Sequence, residues 1–405
     1  MNIYYPPQFW KNKKLLFGIT GGISAFKLAG YVSHLVQAGS DIQVIMTESA
    51  QQFIGKNTFS ALTRKPVYTD LFESGEKILH IHLMREYEYF VVAPATANII
   101  GKMAGGIGDD LLSSCFFVDP KKVIFAPAMN VDMWHNPIVQ ENIKKLIAIG
   151  VRVIIPSSGN LACGERGEGR LPEQEEFLEA LYYLLCSPQP LQGKKVLITA
   201  GPTREYIDPI RYLTNSSSGL MGCSLAAAAR ARGADVTLIA GPMSVRIPSG
   251  IHFLPIVSTQ DLKTAVLEQY DKTDICIMNA AVADYRPSNI STVKIKKQGK
   301  SELILNLIQN PDILSELGRR KVSQVLVGFC AEDGDIVTEA RQKLQQKNCD
   351  VMVANQILTG ESGFEVDKNK AWFLNKNGEM IDIPLMSKME LAEIIINQIG
   401  AFYFS

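Results

Sequence analysis

The chain has no excess of charge of either sign. Its 405 residues carry 41 Lys and Arg against 41 Asp and Glu, so no global field draws it to nucleic acid or to an anionic membrane surface, and any phosphate binding has to be local. No stretch reaches the roughly 20 apolar residues that a bilayer span requires. The opening MNIYYPPQFWKNKK lacks the basic-then-apolar order of a signal peptide. The expected setting is soluble and cytoplasmic, without nucleic-acid or membrane partners. Cysteine is scarce: Cys115, Cys163, Cys186, Cys223, Cys276, Cys330 and Cys349 form no CxxC and are odd in number, which excludes a disulfide framework and a cysteine zinc site. Most stand in apolar runs, as Cys276 does in DICIMNAA, and are expected as small buried hydrophobes. Cys163 is the exception. Low-complexity tracts and short-period repeats are lacking too.

What is present is alternation. At about 100 to 200 residues per domain the length implies two domains. KKLLFGIT, from Lys13, and KKVLITAG, from Lys194, are short apolar runs that end in a glycine-containing turn, and each reads as the buried first strand of a parallel sheet. A loop, a helical run closing on Gly39 or Gly233, and a second strand follow each, giving βαβ twice. Further alternation through EYFVVAPATAN, DDLLSSCFFV, KKVIFAPAMN, NPIVQENIKKLIAIG and VRVIIP predicts a doubly wound α/β sheet in the first half. In the second half DICIMNAAVADYR, VLVGFCAED and VMVANQ read as strands. The Pro-containing stretch Ser187 to Gly193 is the expected boundary, giving domains 1–190 and 191–405.

The turn GITGGIS, Gly18 to Ser24, offers bare backbone and the hydroxyls of Thr20 and Ser24 ahead of a helix start, which suits a phosphate. It is not GxGxxG, so a mononucleotide fits better than a dinucleotide. APATAN and APAMN, two Pro-Ala strand ends, suggest a shared ligand. ILHIHL reads as a strand whose alternation places His80 and His82 on one face; two such ligands raise a metal site, although no third ligand has suitable spacing. SSGNLACGERGEGRLP, Ser157 to Pro172, reads as a polar flap carrying Cys163 among Glu165, Arg166 and Arg170, a setting in which a thiol can act as acid or nucleophile.

GITGGISAFK, His80 in HIHL, PAMN and SGNLACGERGEGR together resemble the flavin-dependent cysteine decarboxylases, in particular the phosphopantothenoylcysteine decarboxylase half of the bifunctional coenzyme A enzymes. The resemblance implies a flavodoxin-like domain that holds FMN through Gly21, Gly22, Ser24, Thr47, Thr96 and Asn98. It also implies His80 near the flavin and the substrate thiol, and Asn130 on the substrate carboxylate. In that family the cysteinyl thiol is oxidised toward a thioaldehyde, CO₂ leaves, and the flap cysteine, here Cys163, protonates the ene-thiolate. A flap that closes would exclude water and deliver the acid together.

In the second half, Asn215 to Gly222 sets serines and glycines before an Ala-rich helix, Asp284 falls at a strand end, and VKIKK brings Lys294, Lys296 and Lys297. A carboxylate with several lysines is what a metal–nucleoside triphosphate needs. NSSSG, NAAVADYRP, KIKKQ, NPDIL and GFCAED resemble the phosphopantothenate–cysteine ligase domain, a second Rossmann-like fold. The resemblance implies CTP at Met278, Asn279, Ala280, Asp284 and Lys294, at the turn Pro311, Asp312, Ile313 and Leu314, and at Phe329, Lys343 and Lys347. Mg²⁺ would accompany the triphosphate near Asp284, Asn215 would stabilise the acyl-cytidylate, and Lys294 would neutralise triphosphate charge. The implied substrates are 4′-phosphopantothenate, cysteine and CTP. The implied assembly is a homo-oligomer of trimeric decarboxylase and dimeric ligase domains, up to a dodecamer.

Three positions depart from the resemblance: His82 stands in place of a carboxylate, Leu220 in place of a lysine, and Cys330 in place of an alanine. A regulatory relative of this flavoprotein fold would lack the histidine or the flap cysteine, and both are present. A different flavin decarboxylase would leave the second half unexplained. For Cys163→Ser the expected outcome is oxidation of substrate and loss of CO₂ without formation of the saturated product, followed by mass spectrometry. Normal turnover by that variant would remove Cys163 from the reaction.

Overall fold

Strands that are apolar on both faces lie in parallel sheets, because only a sheet covered on both sides buries them. The computed structural model describes residues 4–72, 78–160, 166–296, 302–332, 335–356 and 367–404. The chain divides into two units, Pro7–Leu184 and Leu185–Ser405, the second joined by the N-terminal Met1–Pro6.

In the first unit β1 (Lys14–Ile19), β2 (Asp41–Met46), β3 (Tyr89–Ala95), β4 (Val123–Pro127) and β5 (Arg152–Val153) form one sheet in the order 2-1-3-4-5, parallel throughout. This is the flavodoxin-like order, with its switch point between β1 and β3. Every residue of β1 beyond Lys14 is buried. The helices are α1 (Lys27–Gln37), α2 (Lys56–Thr63), α3 (Leu79–Glu86), α4 (Ala97–Ala104), α5 (Leu111–Val118), α6 (Val131–His135), α7 (Pro137–Ala148) and α8 (Gln174–Leu185). Between β5 and α8 the flap segment forms an antiparallel hairpin, β6 (Ser157–Asn160) with β7 (Arg166–Arg170). Cys163 lies outside the described residues.

The expected strand at ILHIHL is a helix. Leu79, Leu83 and Met84 of α3 are buried in the first core, the i, i+4, i+5 spacing of a helix face and not the alternation of a strand. His80 and His82, two positions apart, therefore point to different sides. His82 Nε2 lies 3.1 Å from Glu86 Oε2, one turn along. The two-histidine metal reading falls with the strand, and among the described residues no three His, Cys, Asp or Glu side chains gather as a metal site.

The second unit begins with β8 (Lys195–Ala200), a hairpin of β9 (Arg204–Tyr206) and β10 (Tyr212–Thr214), helix α9 (Leu220–Ala231), β11 (Asp235–Ala240) and β12 (His252–Pro255). Then come α10 (Thr259–Tyr270), β13 (Ile275–Met278) and a second hairpin, β14 (Tyr285–Pro287) with β15 (Leu307–Gln309). The unit continues with α11 (Ile313–Arg320), β16 (Val325–Glu332), α12 (Ile336–Gln346), β17 (Val351–Gln356), β18 (Lys368–Asn375), β19 (Met380–Ser387) and α13 (Lys388–Tyr403). The parallel strands run β12-β11-β8-β13-β16-β17, the 3-2-1-4-5-6 Rossmann order, and β18 and β19 extend the edge antiparallel.

The units divide after Leu184, and an arginine of the second unit holds the residues that follow. Arg232 Nη1 donates to Cys186 Sγ at 2.8 Å, its Nε donates to Asn397 Oδ1 at 2.7 Å, and it pairs with Glu393. Cys115 and Cys349 are buried as expected, and burial pushes their thiols up to about 12.

Asp350, buried at the start of β17, ties together the strand edges around it. Its carboxylate accepts from Leu326 N at 2.8 Å, Lys376 Nζ at 2.7 Å and Lys321 Nζ at 3.0 Å. Burial raises its carboxyl, and these donors outweigh burial and hold it below the usual range. A depressed carboxyl stabilises the fold above its unfolded pKa, and that contribution disappears as pH falls through the folded value. Asp350→Ala is expected to destabilise the second unit by about 3 to 5 kcal/mol at neutral pH, since it takes the acceptor from the buried Leu326 N–H and from the largely buried Lys321 ammonium. The difference should shrink on acidification. Urea midpoints of the two proteins check this, and equal midpoints at pH 7 would contradict it.

Candidate functional site

The carboxyl ends of β1 to β4 open onto one cavity of about 1160 Å³. Hydroxyls shape its floor at the switch point. Thr20 Oγ1 donates to Pro94 O at 2.6 Å, and Thr96 caps α4 by accepting from Ile99 N at 3.4 Å. Thr47 caps the short turn after β2, its Oγ1 accepting from Ala50 N at 3.2 Å. A methyl at Gly21 would stand 2.5 Å from Ser49 Cβ, so only glycine lets the loops after β1 and β2 meet here.

The structure brings Gly21, Gly22, Ser24, Thr47, Thr96 and Asn98 to the wall of this single cavity, together with Asn130. Asn130 caps α6, its Oδ1 accepting from Asp132 N at 2.8 Å and Met133 N at 3.1 Å. With the oxygen committed to the helix, the carboxamide NH₂ is the end with the polarity for a carboxylate. The hairpin closes over this side: Met129 N donates to Gly169 O at 2.9 Å, and a side chain at Gly169, whose φ is +117°, would meet Met129 O at 2.4 Å.

Of the cations of the wall, sequence reasoning named Arg170 only as a neighbour of Cys163 and missed Lys27 and Lys102. Lys27 lies 2.9 Å from Glu173, Lys102 lies 2.8 Å from Asp109, and Arg170 also pairs with Glu173. The hydrogen bond to Asp109 outweighs desolvation and holds the Lys102 ammonium above its ordinary value. Glu48, Asp70, Asp109 and Asp110 line the same cavity, so its cations are balanced locally and the lining has no excess of positive charge. His80, in contrast, is not among the lining residues of its own cavity. It stands half-buried on α3, its carbonyl 3.9 Å from Cys115 Sγ.

In the second unit Met278 ends β13 and Asn279, Ala280 and Asp284 follow it, whereas Lys343 and Lys347 lie at the end of α12, ahead of β17. Thr199 Oγ1, in β8, accepts from Asn279 N at 3.0 Å and Ala280 N at 3.1 Å, turning the chain sharply after Met278. Asn215 Nδ2 donates to Val282 O at 3.0 Å. Gly222 packs α9 onto β8, where a Cβ would lie 2.4 Å from Ala200 Cβ. Asp284 and Lys294 are exposed and Phe329 is half-buried.

Asp312 caps α11 by accepting from Ser315 N at 2.9 Å and forms an ion pair with Lys347, so two predicted CTP residues already hold each other. Ile313 is buried in the core and can offer a ligand only its backbone, whereas Pro311 and Leu314 are partly exposed. Lys343 lies one turn before Lys347 on α12, which ends there.

A smaller cavity of about 40 Å³ lies among Ser217, Ser218, Gly219, Asn279, Asn355 and Lys388. Lys388 is buried at the first turn of α13, and desolvation lowers its ammonium to about 8 against the opposing pull of Asp367. No sequence signal beyond the capping box at Ser387 marked it.

The flavodoxin-like order and the phosphate-suited wall define the first unit as a flavoprotein fold. The family described as Flavoprotein matches residues 6–185, and the DNA/pantothenate metabolism flavoprotein C-terminal domain matches residues 191–403. The coenzyme A biosynthesis bifunctional protein CoaBC of Bacillus subtilis (strain 168) is 45% identical, over 96% of this chain and 97% of its own length. That of Mycobacterium tuberculosis (strain ATCC 25618 / H37Rv) is 39% identical, over 96% and 97%. The solved C-terminal domain of a coenzyme A biosynthesis bifunctional protein CoaBC is 39% identical and covers 53% of this chain and 97% of that one, with a TM-score of 0.46. The chain belongs to the CoaBC family of bifunctional coenzyme A biosynthesis proteins, enzymes that combine phosphopantothenoylcysteine decarboxylase with phosphopantothenate–cysteine ligase.

Gly21→Ala is expected to cut bound flavin about tenfold or more, since overpacking by one methyl costs about 1 to 3 kcal/mol where the neighbour is another loop. The flavin absorbance of the purified variant reads this directly. A fully yellow protein would show that the loops after β1 and β2 can part without losing the ligand.

Proposed function

We propose that the second unit joins 4′-phosphopantothenate to cysteine through an acyl-cytidylate made from CTP, and that the first unit decarboxylates the product with FMN. The observation that carries the reading is the cavity of the first unit, where every residue expected to hold FMN falls on one wall beside Asn130. At about 1160 Å³ it exceeds the usual range for a single small ligand, about 300 to 1000 Å³, which suits a cofactor and substrate together. Bare backbone at Gly21 and Gly22 and the capped start of α4 suit the phosphate of FMN.

FMN, when bound, supplies the two-electron redox chemistry that gives the carbon beside the carboxylate an electron sink. Asn130 orients the carboxylate through its NH₂ group. Closure of the β6–β7 hairpin excludes water, and Cys163 returns the proton to the ene-thiolate. His80 acts near the substrate thiol. Its place on α3, away from the wall of its own cavity, supports a trimer in which a neighbouring copy brings it in.

In the second unit a carboxylate oxygen of 4′-phosphopantothenate attacks the α-phosphorus of CTP and expels pyrophosphate; the amine of cysteine then attacks the acyl carbon and expels CMP. The exposed Lys294 neutralises charge on the triphosphate, with Mg²⁺ near Asp284 sharing that task. Asn215, held against the chain that follows β13, steadies the acyl-cytidylate. The ligase product is the decarboxylase substrate, which gives the fusion of the two units its chemical sense. The assembly is a cytoplasmic homo-oligomer, with dimeric ligase units completing a dodecamer.

Purified protein incubated with 4′-phosphopantothenate, cysteine, CTP and Mg²⁺ is expected to release CMP, pyrophosphate and CO₂ in equal amounts and to form 4′-phosphopantetheine. Mass spectrometry follows all four. A yellow protein that forms no amide from CTP would overturn the assignment of the second unit.

A further inference from the structure

One fully buried carboxylate of the second unit belongs to no role given so far. Asp208, in the turn between β9 and β10, is fully buried. Its Oδ1 accepts from Ile210 N at 2.9 Å and Arg211 N at 2.8 Å, which closes the turn. Its Oδ2 accepts from the Arg211 guanidinium, through Nε at 3.0 Å and also through Nη2. Oδ2 also accepts from a distant donor, Ile295 N, at 3.1 Å.

Arg211 completes the grip, its Nη2 donating to Ile295 O at 2.8 Å. Both backbone polar groups of residue 295 are thus held by one charged pair, across more than 80 positions of sequence. Ser291 N donates to Ile207 O at 3.0 Å and ties the same segment to the same turn. The turn alone would be closed by the Oδ1 bonds. What remains is an arm reaching to the peptide that follows Lys294.

We propose that Asp208 is a positioning residue for Lys294, fixing through Arg211 and residue 295 the point from which the lysine side chain reaches the triphosphate. The proposal rests on the ligase reading given to Lys294 above. A lysine on a solvated loop carries about 2 kcal/mol of rotamer freedom in its side chain alone, and a loose backbone would add to what binding must order. A backbone held at residue 295 limits the search to the side chain. The Arg211 hydrogen bond, outweighing desolvation, keeps the Asp208 carboxyl below the usual carboxylate range, so the clamp stays ionised wherever the enzyme works. The other end of the same hairpin runs through β10 to Asn215, so one buried carboxylate organises the approach of both residues assigned to the acyl-cytidylate step.

The test uses the full chain with two variants. Asp208→Asn removes the charge, and Ile295→Pro removes the N–H donor while keeping both Asp208 and Arg211, so that one survives if the other fails to fold. Tryptic cleavage after Lys296, read by mass spectrometry, should quicken about fivefold or more in both, as local opening becomes easier. CTP-dependent CMP release should fall about tenfold, while decarboxylation of added 4′-phosphopantothenoylcysteine stays unchanged.

Asp208→Asn combined with Lys294→Ala should be no slower than Lys294→Ala alone, because a residue acting only through Lys294 has nothing further to lose. Wild-type cleavage and turnover in both variants, or losses that multiply in the double variant, overturn the proposal. Wild-type CMP release by Lys294→Ala alone overturns instead the role given to Lys294. The cleavage rates then decide by themselves whether Asp208 anchors the segment.

Discussion

In each unit a threonine hydroxyl at the end of the first strand pins the neighbouring strand at the switch point, and the site is built around that bond. Thr20 donates to Pro94 O at 2.6 Å in the first unit, and Thr199 accepts from Asn279 N and Ala280 N in the second. A parallel sheet whose order reverses leaves a crevice at the carboxyl ends of the two diverging strands, where backbone groups and helix starts face one point. A polar group there has to be satisfied without filling the crevice. A threonine does both, because its hydroxyl reaches the adjacent chain while its methyl stays with the core.

Charge is handled locally in both units. The chain is neutral overall, yet the cavity of the first unit has Lys27, Lys102 and Arg170 on its wall, each tied to a carboxylate. Such pairs hold their cations in place at modest cost, because the carboxylate of each stays about half exposed. The buried carboxylates of the second unit are a different case. Asp350 and Asp208 are removed from water and are tolerable only because several donors saturate each. Asp350 spends its bonds on strand edges. Asp208 directs part of its capacity to a segment outside the sheet, and that separates an organising role in the site from a merely structural one.

The fold was legible wherever a run of apolar residues was long enough to have one solution. KKLLFGIT, EYFVVAPA, KKVIFAPA and DICIMNAA all became strands as read, since each lies within a fully buried sheet. ILHIHL was misread because four alternating residues satisfy a strand and a helix equally. The burial of Leu79, Leu83 and Met84 against the core selected the helix. The antiparallel pair β18 and β19 went unread for a related reason: Lys368–Asn375 mixes charge with apolar residues, and only pairing with β17 makes it a strand.

For the site, the sequence by itself determined the backbone-rich turns and cap residues, because Gly21, Thr47, Thr96 and Asn130 act within a few residues of their own positions. Tertiary structure alone decided which of those turns share a cavity, that Lys27, Lys102 and Arg170 join them, and that His80 does not. It decided as well that Asp312 and Lys347 hold each other, that Ile313 belongs to the core, and that Asp208 grips residue 295. The physical reason is range. Capping and turn chemistry are settled by neighbours along the chain, whereas burial, ion pairing and the convergence of loops depend on contacts that exist only after the sheets have formed.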